Sequence, residues 1–150
     1  CQQILNNQKC NKQEMATYCS ERDTIYITNT TNKYVTFPLI MCTTGKNIIK
    51  QNAYTVILDA GFYNISYSLS IGNNSLNNVY CIEIVAELGT DNCYELPQSV
   101  IDTKFDHKIH VSKSFGLYNH VCGGSLKIKI NSNMAVEYSC ASLTITRICC

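Results

Sequence analysis

The chain has 150 residues, a length that suits one domain with a hydrophobic core of its own. Its net charge is +1, with 12 basic and 11 acidic residues mixed along the sequence, so it offers no basic stripe for nucleic acid and no charged patch for a membrane surface. The longest apolar stretches have the length of strands, so no membrane-spanning helix is predicted.

The first segment, residues 1–22, differs from the rest because it is polar and rich in Gln, Asn and Lys. Such a composition buries little area by itself, so we predict an extended N-terminal arm with one helical turn near residues 12–18. The remaining residues, 23–150, are predicted to form one β-domain. The cysteines of the arm are Cys1, Cys10 and Cys19.

Strands are predicted from Thr24 onward, each marked by alternating apolar and polar residues. The clearest covers residues 63–71, in which Tyr, Ile and Leu alternate with Asn and Ser, as in an antiparallel sheet with one buried face. The other predicted strands are residues 24–28, 33–37, 52–58, 79–88, 108–111, 125–130 and 141–148. About eight short strands separated by turns predict an all-β protein, a single antiparallel β-sandwich of the jelly-roll type.

Two segments resemble a known family. Residues 53–69, AYTVILDAGFYNISYSL, run from a strand through a glycine turn into an aromatic-rich strand, and residues 141–148, ASLTITRI, form the last strand. The first is similar to the core motif of C1q/TNF-like jelly rolls. The second is similar to the closing strand of bacterial members, the collagen-like exosporium glycoproteins and, more distantly, the subunits of endospore appendages.

The resemblance implies two kinds of assembly. The exosporium proteins imply a trimer at the tip of a stalk. The appendage subunits imply a filament, in which a Cys-bearing N-terminal connector reaches another subunit and is locked there covalently. The sequence has such an arm and has no collagen-like Gly-X-Y run.

Ten cysteines are many for a domain that is large enough to fold without disulfides. Cysteines near free chain ends can reach other molecules, which favours bonds between subunits. The candidates for inter-subunit disulfides are Cys1, Cys10, Cys19, Cys149 and Cys150. The candidates for disulfides within the chain are Cys42, Cys81, Cys93, Cys122 and Cys140. Pairing of all ten within one chain stays open, and the sequence does not give the connectivity.

Metal binding and catalysis are the alternative uses of these residues. Zinc sites favour Cys-x-x-Cys pairs, which the sequence lacks, so neither a metal nor a cofactor is predicted. Three histidines are interpreted as solvated loop residues: His107, His110 and His120. Cys122 near His120 could act as a nucleophile and base, and Glu83 with Glu87 as paired carboxylates, but strands commonly supply such pairs. The chain is therefore not predicted to be an enzyme.

Three Asn-x-Ser/Thr sequons begin at Asn29, Asn64 and Asn73, close to the number that chance alone supplies in so Asn-rich a chain. They would be N-glycosylation sites if the source is eukaryotic, with Asn64 on the wet face of its strand.

These observations favour a structural subunit of an extracellular, disulfide-crosslinked filament, a pilus-like appendage on a cell or spore surface. Its partner would be itself, in a helical homo-polymer assembled by docking of the arm and by β-augmentation at a sheet edge. The alternative is a trimeric C1q/TNF-like binding head that recognises a protein or a glycan.

Overall fold

The computed structural model describes residues 13–22, 24–28, 33–72 and 80–148. In this part of the chain there are thirteen strands and one short 3₁₀ helix, Pro97–Ser99. The strands in chain order are β1 (Glu14–Cys19), β2 (Tyr26–Thr28), β3 (Lys33–Tyr34), β4 (Leu39–Thr43), β5 (Ile48–Lys50), β6 (Val56–Leu58), β7 (Gly61–Gly72), β8 (Tyr80–Gly89), β9 (Cys93–Glu95), β10 (Ile101–Phe105), β11 (Ile109–Asn119), β12 (Gly124–Ser132) and β13 (Val136–Ile148).

The strands form two sheets in which the pairs are antiparallel. Sheet A has the order β11-β7-β13-β1-β4, with β2 beside β13. Sheet B has the order β10-β8-β12-β6-β5, with β3 beside β12 and β9 beside β8. The predicted all-β jelly-roll sandwich is therefore confirmed.

The alternation in β7 shows why the sequence folds into a two-layered sandwich. Every second residue from Gly61 to Ile71 is buried, and the residues between them are exposed or half-buried. On its buried side β7 places Ile65 and Tyr67 opposite Ile145 and Leu143 of β13. Burying one face of each sheet against the other supplies the main stabilisation, about 25 cal/mol for each Å² of apolar surface removed from water.

A hydrogen-bonded group lies inside this apolar core. The hydroxyl of Tyr67 donates to the carbonyl of Ser99 over 2.6 Å, which ties β7 of sheet A to the 3₁₀ helix beside sheet B. The hydroxyl of Ser99 donates to the carbonyl of Leu96 at 2.6 Å and accepts from the backbone N–H of Ala86 at 2.7 Å. Burial raises the pKa of Tyr67, so its hydroxyl stays protonated and remains a donor.

The structure corrects the prediction for the N-terminal segment. Glu14–Cys19 is not a helical turn but strand β1, which pairs with β13 on one side and β4 on the other. Ala16 and Tyr18 of this strand are buried in the core. This part of the predicted arm, residues 1–22, therefore belongs to the sandwich, whereas residues 1–12 lie outside the described residues.

Other strands were predicted too short or not at all. The strand predicted at residues 108–111 continues to Asn119 as β11, and β4, β5, β9 and β10 have no predicted counterpart. Among the described residues, no helix combines the length and the apolar character that crossing a membrane requires.

Candidate self-association surface

The outer side of sheet A is lined by small polar side chains that bond to one another across strands. Here "sheet A face" means the outward side chains of β11, β7, β13 and β1. The hydroxyls of Ser66 and Ser114 are 2.7 Å apart, and those of Ser68 and Ser142 are 2.8 Å apart. Thr17 and Thr144 form a longer contact of 3.4 Å. Because these hydroxyls satisfy one another, covering the sheet A face would leave few polar groups without a partner.

An aromatic pair occupies one end of the sheet A face. The rings of Phe62 and Tyr118, which are register partners on β7 and β11, stack with their centroids 4.5 Å apart. They are 38% and 47% exposed, and because they stack they form a contiguous exposed patch. The imidazole of His120 lies 6.3 Å from the Tyr118 ring. Exposed aromatic residues of this kind are typical anchors of protein interfaces.

The sheet A face carries no charged side chain over most of its area. From Phe62 to Ser70, from Ser112 to Tyr118 and from Ser142 to Ile148, the described residues that alternate outward are Ser, Thr, Asn, Gly, Ile or aromatic. Charged groups begin only at the far end, where Glu137 and Lys108 line a small pocket. An uncharged centre is a property of interface cores, from which charged residues are depleted.

The outer side of sheet B is different, because it carries charged side chains together with aromatic ones such as the stacked Tyr34 and Tyr54. The ammonium of Lys129 is 2.8 Å from Glu95 and 3.4 Å from Glu87, and Asn131 donates to Glu83 over 3.0 Å. Burial would lower the pKa of Lys129, but the hydrogen bonds and charges of Glu95 and Glu87 outweigh it and raise the pKa above its ordinary value. The side chains of Lys129 and Glu87 are only 9% and 12% exposed, whereas Glu95 is 49% exposed, so this network meets water mainly through Glu95.

The predicted cysteine sites that the structure describes lie at or near the surface of the sandwich. Among the described cysteines, those with free thiols are Cys19, Cys42, Cys81, Cys93 and Cys140, of which Cys19 is half-buried and the others are exposed. Cys122 is disulfide-bonded. The predicted candidates outside the described residues are Cys1, Cys10, Cys149 and Cys150. Both assignments of disulfides, within the chain and between subunits, stay predictions.

Three of the free thiols lie on neighbouring strands of sheet A. Cys19 on β1 stands between Cys42 on β4 and Cys140 on β13. Cys140 has a positive φ of 52°, an uncommon conformation for a residue with a side chain, and it lies where the β13–β7 register shifts. Sequence reasoning had divided these three cysteines between the inter-subunit and intra-chain sets, because it could not show that their strands are adjacent.

The other residues considered for chemistry contact separate partners, Glu83 with Asn131 and Glu87 with Lys129. His107 contacts Asp106, and His110 contacts Ser70 at 3.1 Å. Within the described ranges no group of three or more His, Cys, Asp or Glu residues is placed to hold a metal ion. Cys122, being disulfide-bonded, has no thiol to act as a nucleophile beside His120.

Of the three sequons, the structure describes the one at Asn64. Asn64 is exposed on β7, in the middle of the sheet A face, as its position in the alternation predicted. A glycan there would cover the same surface that the Ser and Thr pairs form. Asn29 and Asn73 lie outside the described residues.

The sequence prediction did not include the aromatic pair of Phe62 and Tyr118, because it made β11 too short. That strand was predicted to end at residue 111, so Ser114 and Tyr118 were not assigned to a sheet. A signal was present, since Ser112, Ser114 and Gly116 alternate with apolar Val111, Phe115 and Leu117, interrupted only by Lys113.

Comparison with solved structures shows which proteins share this fold. The globular domain of zebrafish complement 1qA is 12% identical, with a TM-score of 0.60 over 91% of this chain and 98% of that chain. Murine APRIL at pH 5.0 is 15% identical, with a TM-score of 0.65 over 91% of this chain and 100% of that chain. Eiger TNF from S. frugiperda is 8% identical, with a TM-score of 0.65 over 91% and 94%.

These similarities establish a jelly roll of the TNF and C1q kind and, at such identities, the fold alone. No family model matches the chain, and no curated protein sequence matches it. The predicted resemblance to C1q/TNF-like jelly rolls is thus confirmed for the fold, and the resemblance to the bacterial spore proteins stays a prediction.

Proposed function

We propose that this protein is an extracellular binding head that self-associates through the sheet A face, as a closed trimer. The observation that carries the proposal is the difference between the two outer surfaces of the sandwich. Sheet B carries charged side chains such as Glu95, Lys127 and Lys129 beside its aromatic ones, whereas the sheet A face is uncharged over most of its area and carries the Phe62–Tyr118 pair. A monomer has no need for such a difference, but an assembly that covers one sheet and exposes the other does.

The fold supports the same assignment. TNF-like and C1q-like jelly rolls share this strand arrangement over nine-tenths of the chain, and a trimer is the closed assembly that the sequence resemblance implies. Closed symmetric assemblies repeat one interface and leave no end on which a fibre could grow. The role is that of a binding module, which requires no cofactor and no catalytic group.

The test is the mass of the purified chain by light scattering, combined with a matched pair of substitutions. Ser114→Arg places a charge on the sheet A face, on its edge strand β11, and Ser125→Arg places the same charge on sheet B. We expect the unaltered chain and Ser125→Arg to have three times the mass of one chain, and Ser114→Arg to shift towards the monomer. A monomeric unaltered chain, or equal effects of the two arginines, would exclude the proposal.

A second candidate function is favoured by the thiols. Cys42, Cys81, Cys93 and Cys140 are exposed and free. Exposed thiols in an extracellular setting tend to become oxidised to disulfides. In this candidate, the chain is a subunit of a disulfide-linked filament on a cell or spore surface, in which residues 1–12 act as the arm that reaches the next subunit.

Negative-stain microscopy separates the two candidates, since a filament grows in length and a closed trimer does not. Electrophoresis with and without reductant adds the chemical evidence. A ladder of bands that disappears on reduction would support the filament, and a single band at the mass of one chain in both conditions would exclude it.

A further inference from the structure

Within the part of the chain that the structure describes, strand β4 forms an edge of sheet A. It pairs with β1 on one side, and within the described residues no strand pairs with its other side. All five residues of Leu39–Thr43 are exposed, including Ile40 at 56% and Met41 at 63%. Soluble proteins usually protect such an edge with charged residues, because its free N–H and C=O groups can pair with another strand. β4 has no charged residue.

The apolar character extends to the neighbouring strands. Met15 on β1 is 40% exposed and Ile49 on β5 is 55% exposed. The register between β4 and β1 shifts at Met41, a bulge of the kind that often lies beside functional sites. Half of the exposed large hydrophobic residues of the described chain thus lie at this one edge of the sandwich.

A shallow, open groove that includes one cationic side chain, Lys50, lies beside the edge. It has a volume of about 300 Å³ and is lined by Pro38, Ile40, Lys50, Gln51, Asn52 and Ala53. The ammonium of Lys50 donates to the carbonyl of Asn52 over 2.7 Å and lies 5.5 Å from the centre of the Tyr18 ring. Burial lowers the pKa of Lys50. No carboxylate of the described residues forms an ion pair with it.

We propose that the β4 edge binds an extended, acidic segment of a partner protein by strand addition. The backbone of the segment would continue sheet A beyond β4, and a glutamate or aspartate side chain would enter the groove and pair with Lys50. In strand addition the main-chain bonds supply affinity and the pocket for an alternate side chain supplies specificity. The proposal rests on the proposed binding function in naming a partner for the head, but it does not depend on the number of subunits.

The charge of the groove decides between this partner and the two that the chain itself could supply. A second copy of β4 offers Leu39–Thr43, which contains no carboxylate. Residues 1–12 contain Lys9 and Lys12 and no acidic residue, so they would bring like charge to Lys50. A partner with an acidic side chain in an extended apolar context is the complementary one.

The experiment measures binding of a fluorescent peptide to the full chain by anisotropy. The probe is a short synthetic peptide of alternating threonine and valine with one central glutamate, and the control peptide has glutamine at that position. We expect the glutamate peptide to bind about tenfold more tightly, the effect of one charge-assisted hydrogen bond. Added salt should reduce this difference. Equal affinity of the two peptides, or binding of neither, would overturn the proposal.

Two substitutions locate the binding site. Lys50→Gln should abolish the difference between the two peptides, and Met41→Lys should weaken the neutral glutamine peptide, because a charged side chain on an edge strand opposes strand addition. Ile25→Lys is the control, because Ile25 is 59% exposed and lies away from β4. An Ile25→Lys effect equal to that of Met41→Lys would overturn the assignment.

Light scattering on the same samples keeps this proposal separate from the proposed function. If the unaltered chain is a monomer and still prefers the glutamate peptide, only the trimer fails. If Met41→Lys reduces the mass of the assembly, the edge is occupied by a second copy, and the acidic partner is excluded.

Discussion

Arg147 and Glu14 are register partners on β13 and β1, and their side chains meet at one end of the sandwich. Nη1 of Arg147 lies 3.7 Å from Oε2 of Glu14, and the side chains are only 9% and 12% exposed. The same guanidinium donates to the carbonyl of Ala60 over 3.1 Å, and the carboxylate accepts from the backbone N–H of Asn47 over 3.2 Å. One ion pair therefore holds together two strands and the turns that follow β4 and β6.

Removing one member of this pair should be costly. Glu14→Ala leaves the Arg147 guanidinium buried without its counter-charge, and we expect a loss of about 3 kcal/mol in the free energy of unfolding, measured with urea. The double variant Glu14→Ala, Arg147→Ala removes both charges, so its loss of stability should be smaller than the sum of the losses in Glu14→Ala and Arg147→Ala. A double variant as unstable as the sum of the two single variants would show that the ion pair has no energetic coupling.

The turn after β4 requires a glycine, because its backbone lies against the side chain of Glu14. Gly45 has a φ of +81°, and a Cβ built there would overlap the side chain of Glu14. Gly45→Ala should therefore lower the free energy of unfolding by about 2 kcal/mol, through backbone strain and displacement of the carboxylate. Gly116→Ala is the control, because nothing lies within 4 Å of a Cβ at that position. Similar melting temperatures for the two variants would contradict this account.

These relationships show which parts of the structure a single sequence can predict. The alternation from Tyr63 to Ile71 predicted a strand with one buried face, because a period of two is a local property. The edge strand β4 gave no such signal, since Leu39–Thr43 is exposed on both sides and has no alternation. The pairing of Glu14 with Arg147 depends on strand order and register, which are set by the packing of the whole sandwich.

The candidate surface was predictable to a similar extent. The serines of β7 were predicted to lie on the wet face, as they do. Their partners, Ser114 on β11 and Ser142 on β13, could not be assigned, because contact between distant strands leaves no local pattern. The contrast between a charged sheet B and an uncharged sheet A becomes visible only when the strands are sorted into sheets.

Buried tyrosines should make the protein sensitive to alkali. Burial raises the pKa of Tyr63 to about 12, against the opposing effect of the Arg147 guanidinium, whereas tyrosine in the unfolded chain ionises near pH 10. Between these two values the unfolded chain loses a proton that the folded chain retains. The contribution is fully present below about pH 10 and falls by up to about 1.4 kcal/mol per pH unit as the pH rises towards 12.

The measurement is the free energy of unfolding by urea across this pH window, with Tyr63→Phe as the comparison. The variant should lose about 1 kcal/mol at neutral pH, because the Tyr63 hydroxyl donates to the carbonyl of Asp59 over 2.7 Å. It should then lose less stability between pH 10 and 12 than the unaltered chain. The pKa values of Tyr18, Tyr67 and Tyr138 are also raised by burial, so some slope should remain. If the stability of the variant and of the unaltered chain changes equally with pH, Tyr63 has the same pKa in the folded and unfolded chains, and burial does not raise it.

The reactivity of the cysteines distinguishes a chain with free surface thiols from one linked to its neighbours. Treatment of the native, unreduced chain with iodoacetamide should modify the exposed Cys42, Cys81, Cys93 and Cys140 rapidly and the half-buried Cys19 slowly, because access limits attack by the thiolate. Cys122, being in a disulfide, should react only after reduction. Mass spectrometry of the digested chain identifies each modified residue. An unfolded, reduced sample is the control, in which every cysteine should react. If Cys42 or Cys140 reacts only after reduction, that cysteine is oxidised in the native material, and isotope-labelled subunits mixed before oxidation would show whether its bond joins two chains.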